Sequence, residues 1–222
     1  MKSGGRAPSF TLADVIAAGV GMGLSDLTVQ AVADALGVTT AAIYRHVTGR
    51  AELETLVGEA VFADLDLPDA AGDDAAAQLV AFGVSLREFT LARPGSAAYL
   101  QRLFPRGPSG VRLLEAQIRA LGRRGYSPAA ATALSSGVAT VALGAVIAEE
   151  ERSRVDADAA RAAFEAMAAS PLVREAVAGL PEHTPGDYFL LLITATATGL
   201  VALLPPGAAI TPPTTTGIER SA

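Results

Sequence analysis

Apolar residues recur every three or four positions along nearly the whole chain, while the alternation of half-buried strands is scarce. That pattern predicts an all-α protein. The first helix follows Thr11, which can cap it, and carries Leu12, Val15, Ile16, Gly19 and Val20 as its stripe before Gly21 and Gly23 stop it. Thr28 can cap a second helix, with Val29, Val32, Ala33 and Leu36 on one face and Gly37 placed to close it. A third helix is expected from Thr39 to about Val47. A fourth starts near Thr48, with Leu53, Leu56, Val57, Ala60 and Val61 as its stripe. The segment from Asp64 to Asp74 mixes acids with Pro68 and Gly72 and reads as a loop between two parts. Further helices are expected at about 73–92, 95–104, 108–124, 128–154, 156–168, 171–179 and 186–204, with prolines such as Pro94, Pro108, Pro128, Pro171 and Pro185 near their ends, where proline is tolerated. The expected organisation is a head over 1–65, a larger helical part over 66–206, and a Pro- and Thr-rich disordered tail over 207–222.

Residues 28–50, TVQAVADALGVTTAAIYRHVTGR, combine a short amphipathic helix, a tight glycine turn and a second short helix. Ala33 and Gly37 are small where two helices must cross closely, and Val38 and Ile43 are apolar where the second packs back. This is the helix-turn-helix layout, whose second helix enters the major groove of DNA. Thr39, Thr40 and Ala41 then occupy its exposed first turn. Their short side chains can reach base edges by hydroxyl bonds or by methyl contact with thymine. Tyr44, His46 and Arg50 carry donors suited to phosphate oxygens. The plainer readings are a satisfied core tyrosine, an ordinary histidine and helix-capping threonines; a threonine that caps can still face DNA.

The stretch resembles the tetracycline-repressor (TetR) type of regulator over roughly residues 10–62. Thr28, Val32-Ala33, Leu36-Gly37-Val38, Ile43-Tyr44, His46-Val47, Arg50 and Glu52-Leu53 carry the resemblance together. It implies that Tyr44 and His46 contact the DNA backbone and that Arg50 opens the fourth helix and contacts phosphate. Gln30 on the second helix, and Thr40, Ala41 and Ala42 on the third, fall where the family touches bases or backbone. Thr28 joins this DNA-facing set. Arginine stands at position 50 where lysine is commoner, and few basic residues precede Thr11. The expected partner is double-stranded operator DNA.

Two long segments, Ser127–Ala148 and Tyr188–Pro206, carry no charge and raise the membrane question. Neither is flanked by the Arg or Lys clusters that orient a membrane span, so burial against a second copy is the favoured reading and no membrane is expected. Gly137, Val141 and Gly144 share a face of the first. Leu192, Ala195, Gly199 and Ala202 do so on the second. Two such helices from each of two chains make a four-helix bundle, and the resemblance implies a homodimer through the last long helices. Between head and bundle, Phe82, Leu86, Phe89, Tyr99, Leu103, Phe104, Leu114, Ile118 and Leu121 mark inner helix faces. They read either as a plain core or, with Gln117, Ser136 and Thr140, as walls of an effector cavity of the kind the family commonly has. The arginines at 102, 106, 112, 119, 123 and 124 read as a solvated face or an anionic-ligand surface. Glu149–Glu151 is expected to end a helix in solvent.

Composition narrows the functional classes. Of 222 residues 50% are hydrophobic and 18% charged, which excludes a disordered chain. There is no cysteine, and His46 and His183 are the only histidines, so neither a thiolate nor a multi-histidine metal site is available. No nucleophile–base pair and no Gly-rich phosphate loop is present; an enzyme is not expected, and neither is a cofactor. The start lacks a signal-peptide pattern, which makes the cytoplasm the default location. The net charge of −6 argues against DNA. Within residues 1–50, however, Lys2, Arg6, Arg45 and Arg50 face Asp14, Asp26 and Asp34, leaving the head nearly neutral. The expected function is an effector-responsive repressor, released from its operator by a small molecule. An activator or a ligand-independent regulator of the same fold is the alternative.

Overall fold

A computed structural model describes residues 10–69, 72, 74–103, 107–180 and 184–210. Among them are eleven helices: α1 Leu12–Met22, α2 Val29–Leu36, α3 Thr40–Ile43, α4 Arg50–Phe62, α5 Ala75–Leu91, α6 Ser96–Leu103, α7 Pro108–Gly122, α8 Pro128–Ser153, α9 Ala157–Ala168, α10 Pro171–Ala178 and α11 Pro185–Leu203. The chain is all-α, as its periodicity predicts.

Helix starts in the head are fixed by hydroxyls. Thr11 accepts from the Asp14 amide at 3.3 Å, and its own amide donates to the Asp14 carboxylate at 2.7 Å, a reciprocal cap. Thr28 and Thr39 accept from the Ala31 and Ala42 amides at 3.0 and 3.3 Å. Gly37 closes α2 at φ 66°, where a Cβ would be strained, and Val38 then donates back to the Ala33 carbonyl at 2.9 Å. α3 is shorter than the 39–47 span its pattern predicts. After Ile43 the chain tightens: Arg45 donates to Ala42 and His46 to Ile43, three residues back rather than four. The tighter winding ends with Val47, 2% exposed, in the core. Thr48 follows, bonding the Glu52 carboxylate through both its amide and its hydroxyl at 2.6 Å.

The head is one packed unit around Val15, Leu27, Val32, Ile43, Leu53 and Val57, all fully buried. α1 crosses α4 closely because Gly19 has no side chain: a Cβ there would collide with Val57 and lie 3.2 Å from Leu27. In the body, α5, α8 and α11 pack together around Leu79, Leu134, Val138 and Ile193, with α7 and α6 against α8. α11 rests on α5 where Gly83 leaves room for Ile193.

Two of the joints between head and body are polar contacts from α7. Glu59 of α4 accepts from the Ser109 amide at the start of α7 at 2.7 Å, while Ser109 Oγ donates to the Glu59 carbonyl at 3.0 Å. Arg112, one turn along α7, donates to the Phe62 and Ala63 carbonyls at 3.0 and 2.9 Å, capping the end of α4. The arginine-rich region therefore does more than face solvent. Arg123 and Arg124 both pair with Asp69, and Arg112 reaches Asp66, so α7 pins the strip from Phe62 to Asp69. The acidic run is also occupied: Glu149 pairs with Arg87 at 2.7 Å, Glu150 accepts from the Gly95 amide at 3.1 Å, and Glu151 pairs with Arg154.

Candidate nucleic-acid interface and ligand cavity

The short α3 and the turn after it expose a compact set of groups. Thr39 and Ala41 are exposed, Thr40 is half-buried and Tyr44 is 55% exposed. Ala42 is 8% exposed, so its methyl packs into the head core rather than outward. His46 is half-buried with its ring against Phe10, the centroids 4.8 Å apart. Arg50, 61% exposed along its side chain, pairs with Glu54 at 2.8 Å. An exposed pair of this kind is held weakly and can exchange for phosphate. Thr28 is exposed at the start of α2. Gln30, also exposed, donates to Asp34 at 2.7 Å, which places an acid beside it. Arg45, exposed between Tyr44 and His46, has no ion pair among the described residues. The sequence pattern did not single it out, because it lies outside the hydroxyl and aromatic positions that carry the motif.

A cavity of about 210 Å³ lies in the body. Phe82 and Leu86 of α5, Leu100 of α6, Leu113 and Leu114 of α7, and Ala139 and Leu143 of α8 supply its apolar walls. Leu65 and Leu67 close it from the strip that follows α4. Gln101, Gln117, Ser135, Ser136 and Thr140 supply the polar atoms. Of the positions expected to line a cavity, Phe82, Leu86, Leu114, Gln117, Ser136 and Thr140 do so. Phe89 packs against Phe62 with its ring tilted and lies under the Arg93 guanidinium. Tyr99 fits against Gly58 and Phe62, where burial and the nearby Glu59 and Glu54 carboxylates push its phenol pKa up. Ile118 packs half-buried on the core, and Leu121 is fully buried in it. The Leu103 side chain and Phe104 lie outside the described residues. Leu65, Leu67 and Ser135 could not be assigned from the sequence: the first two sit in a segment read as a loop, and the third is one hydroxyl in a run of small residues.

The body's long helices leave open faces. α8 and α11 are each long and apolar enough to cross a membrane, and 44% of the apolar window in α8 is buried within this fold. Gly144 and Gly199 face open space, Ala195 and Ala202 are exposed, and Leu192 and Val141 are half-buried. Gly137 differs, because its nearest neighbour is Leu200 of the same chain, 2.9 Å from where a Cβ would stand. Tyr188, Leu191 and Leu203 extend the exposed face of α11.

This architecture has close counterparts. The chain superposes on ActR from Streptomyces coelicolor, a TetR-family protein solved in complex with actinorhodin, with a TM-score of 0.74, covering 88% of this chain and 98% of that one at 22% identity. A second TetR-type regulator from Streptomyces coelicolor gives a TM-score of 0.63 at 27% identity, covering 88% of this chain and 99% of its own. The chain has the TetR-family fold. No protein-family model matches it. In sequence, an HTH-type transcriptional regulator from Saccharopolyspora erythraea is 27% identical over 186 residues, 82% of this chain and 79% of that protein. The TetR-type fold puts the α2–α3 pair at the helix-turn-helix, and relatives in sequence and in fold are transcriptional regulators.

Proposed function

We propose that the protein is a cytoplasmic, homodimeric TetR-type repressor. Residues 1–65 bind operator DNA, and residues 66–206 hold a small effector and the dimer contact. Thr39, Thr40 and Ala41 meet base edges; Tyr44, His46 and Arg50 meet phosphates; Thr28 and Gln30 flank them. The open faces of α8 and α11, at Val141, Gly144, Leu192, Ala195, Gly199 and Ala202, pair with those of a second copy. Pairing then presents two reading heads to two half-sites. The reading assigns binding to the chain and no bond-making step.

One observation supports the link between sensing and DNA release. The strip that closes the cavity, Leu65 and Leu67, is the direct continuation of α4, and α7 holds that strip by Arg112 and by the Asp69 pairs. A molecule in the cavity touches α7 and the strip together. A preference for a placement of α4 that spaces the paired heads wrongly for DNA shifts the population away from the DNA-competent form, and by linkage DNA then disfavours the same ligand. ActR, which has this fold and was solved in complex with actinorhodin, supports a small-molecule ligand for the chain. The test is selection from a randomised duplex library by the purified chain. An enriched sequence with two related half-sites is expected from wild type, and none from Tyr44→Ala combined with Arg50→Ala. Selection that survives both changes overturns the assignment.

A further inference from the structure

Two glutamines are almost fully buried, and their surroundings differ. Gln78, 1% exposed, donates through its amide nitrogen to the Pro68 carbonyl at 2.6 Å and so ties down the strip after α4, and only its oxygen is left without a partner. Gln117, 2% exposed, has no hydrogen-bond partner among the described residues at either its nitrogen or its oxygen, and it lines the cavity. Ser135 shows the same contrast. Hydroxyls in helices commonly bond back to the carbonyl four residues earlier. Thr132 bonds Pro128 and Thr140 bonds Ser136 in this way, both at 2.8 Å. Ser135, 4% exposed, makes no such bond and lines the same cavity as Gln117. Buried polar atoms without partners are rare in folded proteins and point to a ligand or an ordered water.

The rest of the lining sets the charge of the occupant. Among the described residues that line it there is no Asp, Glu, Lys, Arg or His. The groove behind Gln117 holds Arg119 and Arg123, each already paired with a carboxylate, Glu115 and Asp69 respectively. A charged guest would lose its hydration with no opposite charge to replace it. At about 210 Å³ the space exceeds the apolar cavity of roughly 150 Å³ that takes up benzene. We propose that the cavity selects an uncharged, mainly apolar molecule of one or two rings whose adjacent hydrogen-bond donor and acceptor are held by Gln117 and Ser135. The inference rests on the reading of this cavity as the effector site and names the chemistry it takes.

The test is calorimetric titration of the full chain with three probes of one shape: 2-naphthamide, 2-naphthoate and naphthalene. 2-Naphthamide is expected to bind at least about tenfold more tightly than either of the others, because it alone is neutral and carries both a donor and an acceptor. In Gln117→Met its advantage over naphthalene is lost, and in Ser135→Ala it is reduced. Equal binding of 2-naphthoate, no binding of 2-naphthamide, or an advantage that survives Gln117→Met overturns the proposal. The probe-free thermal midpoint separates a ligand role from a structural one: Gln117→Met is expected to leave it unchanged or raise it, since nothing in the fold loses a partner. A marked fall would mean that the amide serves the fold and would overturn the proposal. Duplex selection by the probe-free chain is scored separately. A chain that selects DNA but takes no 2-naphthamide overturns the ligand class alone; one that takes 2-naphthamide but selects no DNA overturns the regulator reading alone.

Discussion

In the head, polar groups near the surface are matched locally: Thr11, Thr28 and Thr39 cap their helices, Thr48 bonds Glu52, and Arg50 pairs with Glu54. In the body, Gln117 and Ser135 are buried without partners in a wall of leucines. The contrast separates two kinds of binding surface. A surface that meets a highly charged, hydrated polymer is built from short exposed groups on a rigid core, each able to exchange a weak local bond for a phosphate or a base edge. A cavity for a small apolar molecule keeps two of its polar side chains, Gln117 and Ser135, buried and unmatched, so that the guest supplies the missing bonds.

The contrast predicts unequal costs for similar truncations. Leu53→Ala in the head core should cost about 2–5 kcal/mol, because the fully buried site cannot collapse. Leu114→Ala, half-buried in the cavity wall, should cost clearly less, since its neighbours already border open space. Denaturant midpoints measure both, and equal losses would break the distinction. Next in size is a pair on α8. Gly137→Leu overpacks against Leu200 and should destabilise each chain by about 1–3 kcal/mol. Gly144→Leu meets nothing within the chain and should leave monomer stability near wild type while shifting dimers toward monomers in light scattering. An unaltered dimer would move the interface off this face.

The head was largely legible in the sequence because its signals are local. Capping threonines, Gly37 and the apolar stripes each act within a few residues; the caps and Gly37 fell where the pattern put them, while on α1 the stripe is buried at Val15 and Gly19 but exposed at Leu12 and Val20. The exceptions are positional: Ala42 shares the motif with Ala41 but turns inward, since α3 lasts a single turn before the chain tightens toward Val47. The body was legible as helices but not as a site. Which face of α5, α7 and α8 borders space depends on contacts between residues far apart in sequence. Phe89, Tyr99 and Leu121 carry the same apolar signature as Phe82 and Leu86, yet Tyr99 and Leu121 fill the core and Phe89 packs against it. The small residues of α8 were equally ambiguous. Gly137 accommodates Leu200 within the chain, while Gly144, seven residues on, faces outward.

Smaller effects refine the head side. Arg50→Ala should weaken binding to selected and unrelated duplexes alike and lower the slope of log affinity against log salt by about 1. A loss confined to one sequence would reassign Arg50 to base reading. Thr40→Ala should alter base preference in the library selection while leaving the salt slope unchanged; an unchanged preference removes Thr40 from the readout. The smallest effect is acid sensitivity of the caps. Bonds from Thr11 hold the Asp14 carboxyl below its ordinary pKa, and bonds from Thr48 do the same for Glu52. A carboxylate with a lowered folded pKa contributes its stability above the unfolded value and loses it as pH falls through the folded one. Thr11→Val and Thr48→Val should therefore weaken the chain at neutral pH, with the difference from wild type shrinking in acid. A difference that grows in acid would contradict the cap assignment.

The central claim is that the surface from Thr39 to Arg50 is the part of the molecule that meets DNA. Hydrogen–deuterium exchange of the chain, alone and bound to its selected duplex, measures this directly. The account predicts slowed exchange over residues 28–50, with α5, α6 and α7 changed far less. Slowed exchange centred on the body, with residues 39–50 unaffected, would contradict it.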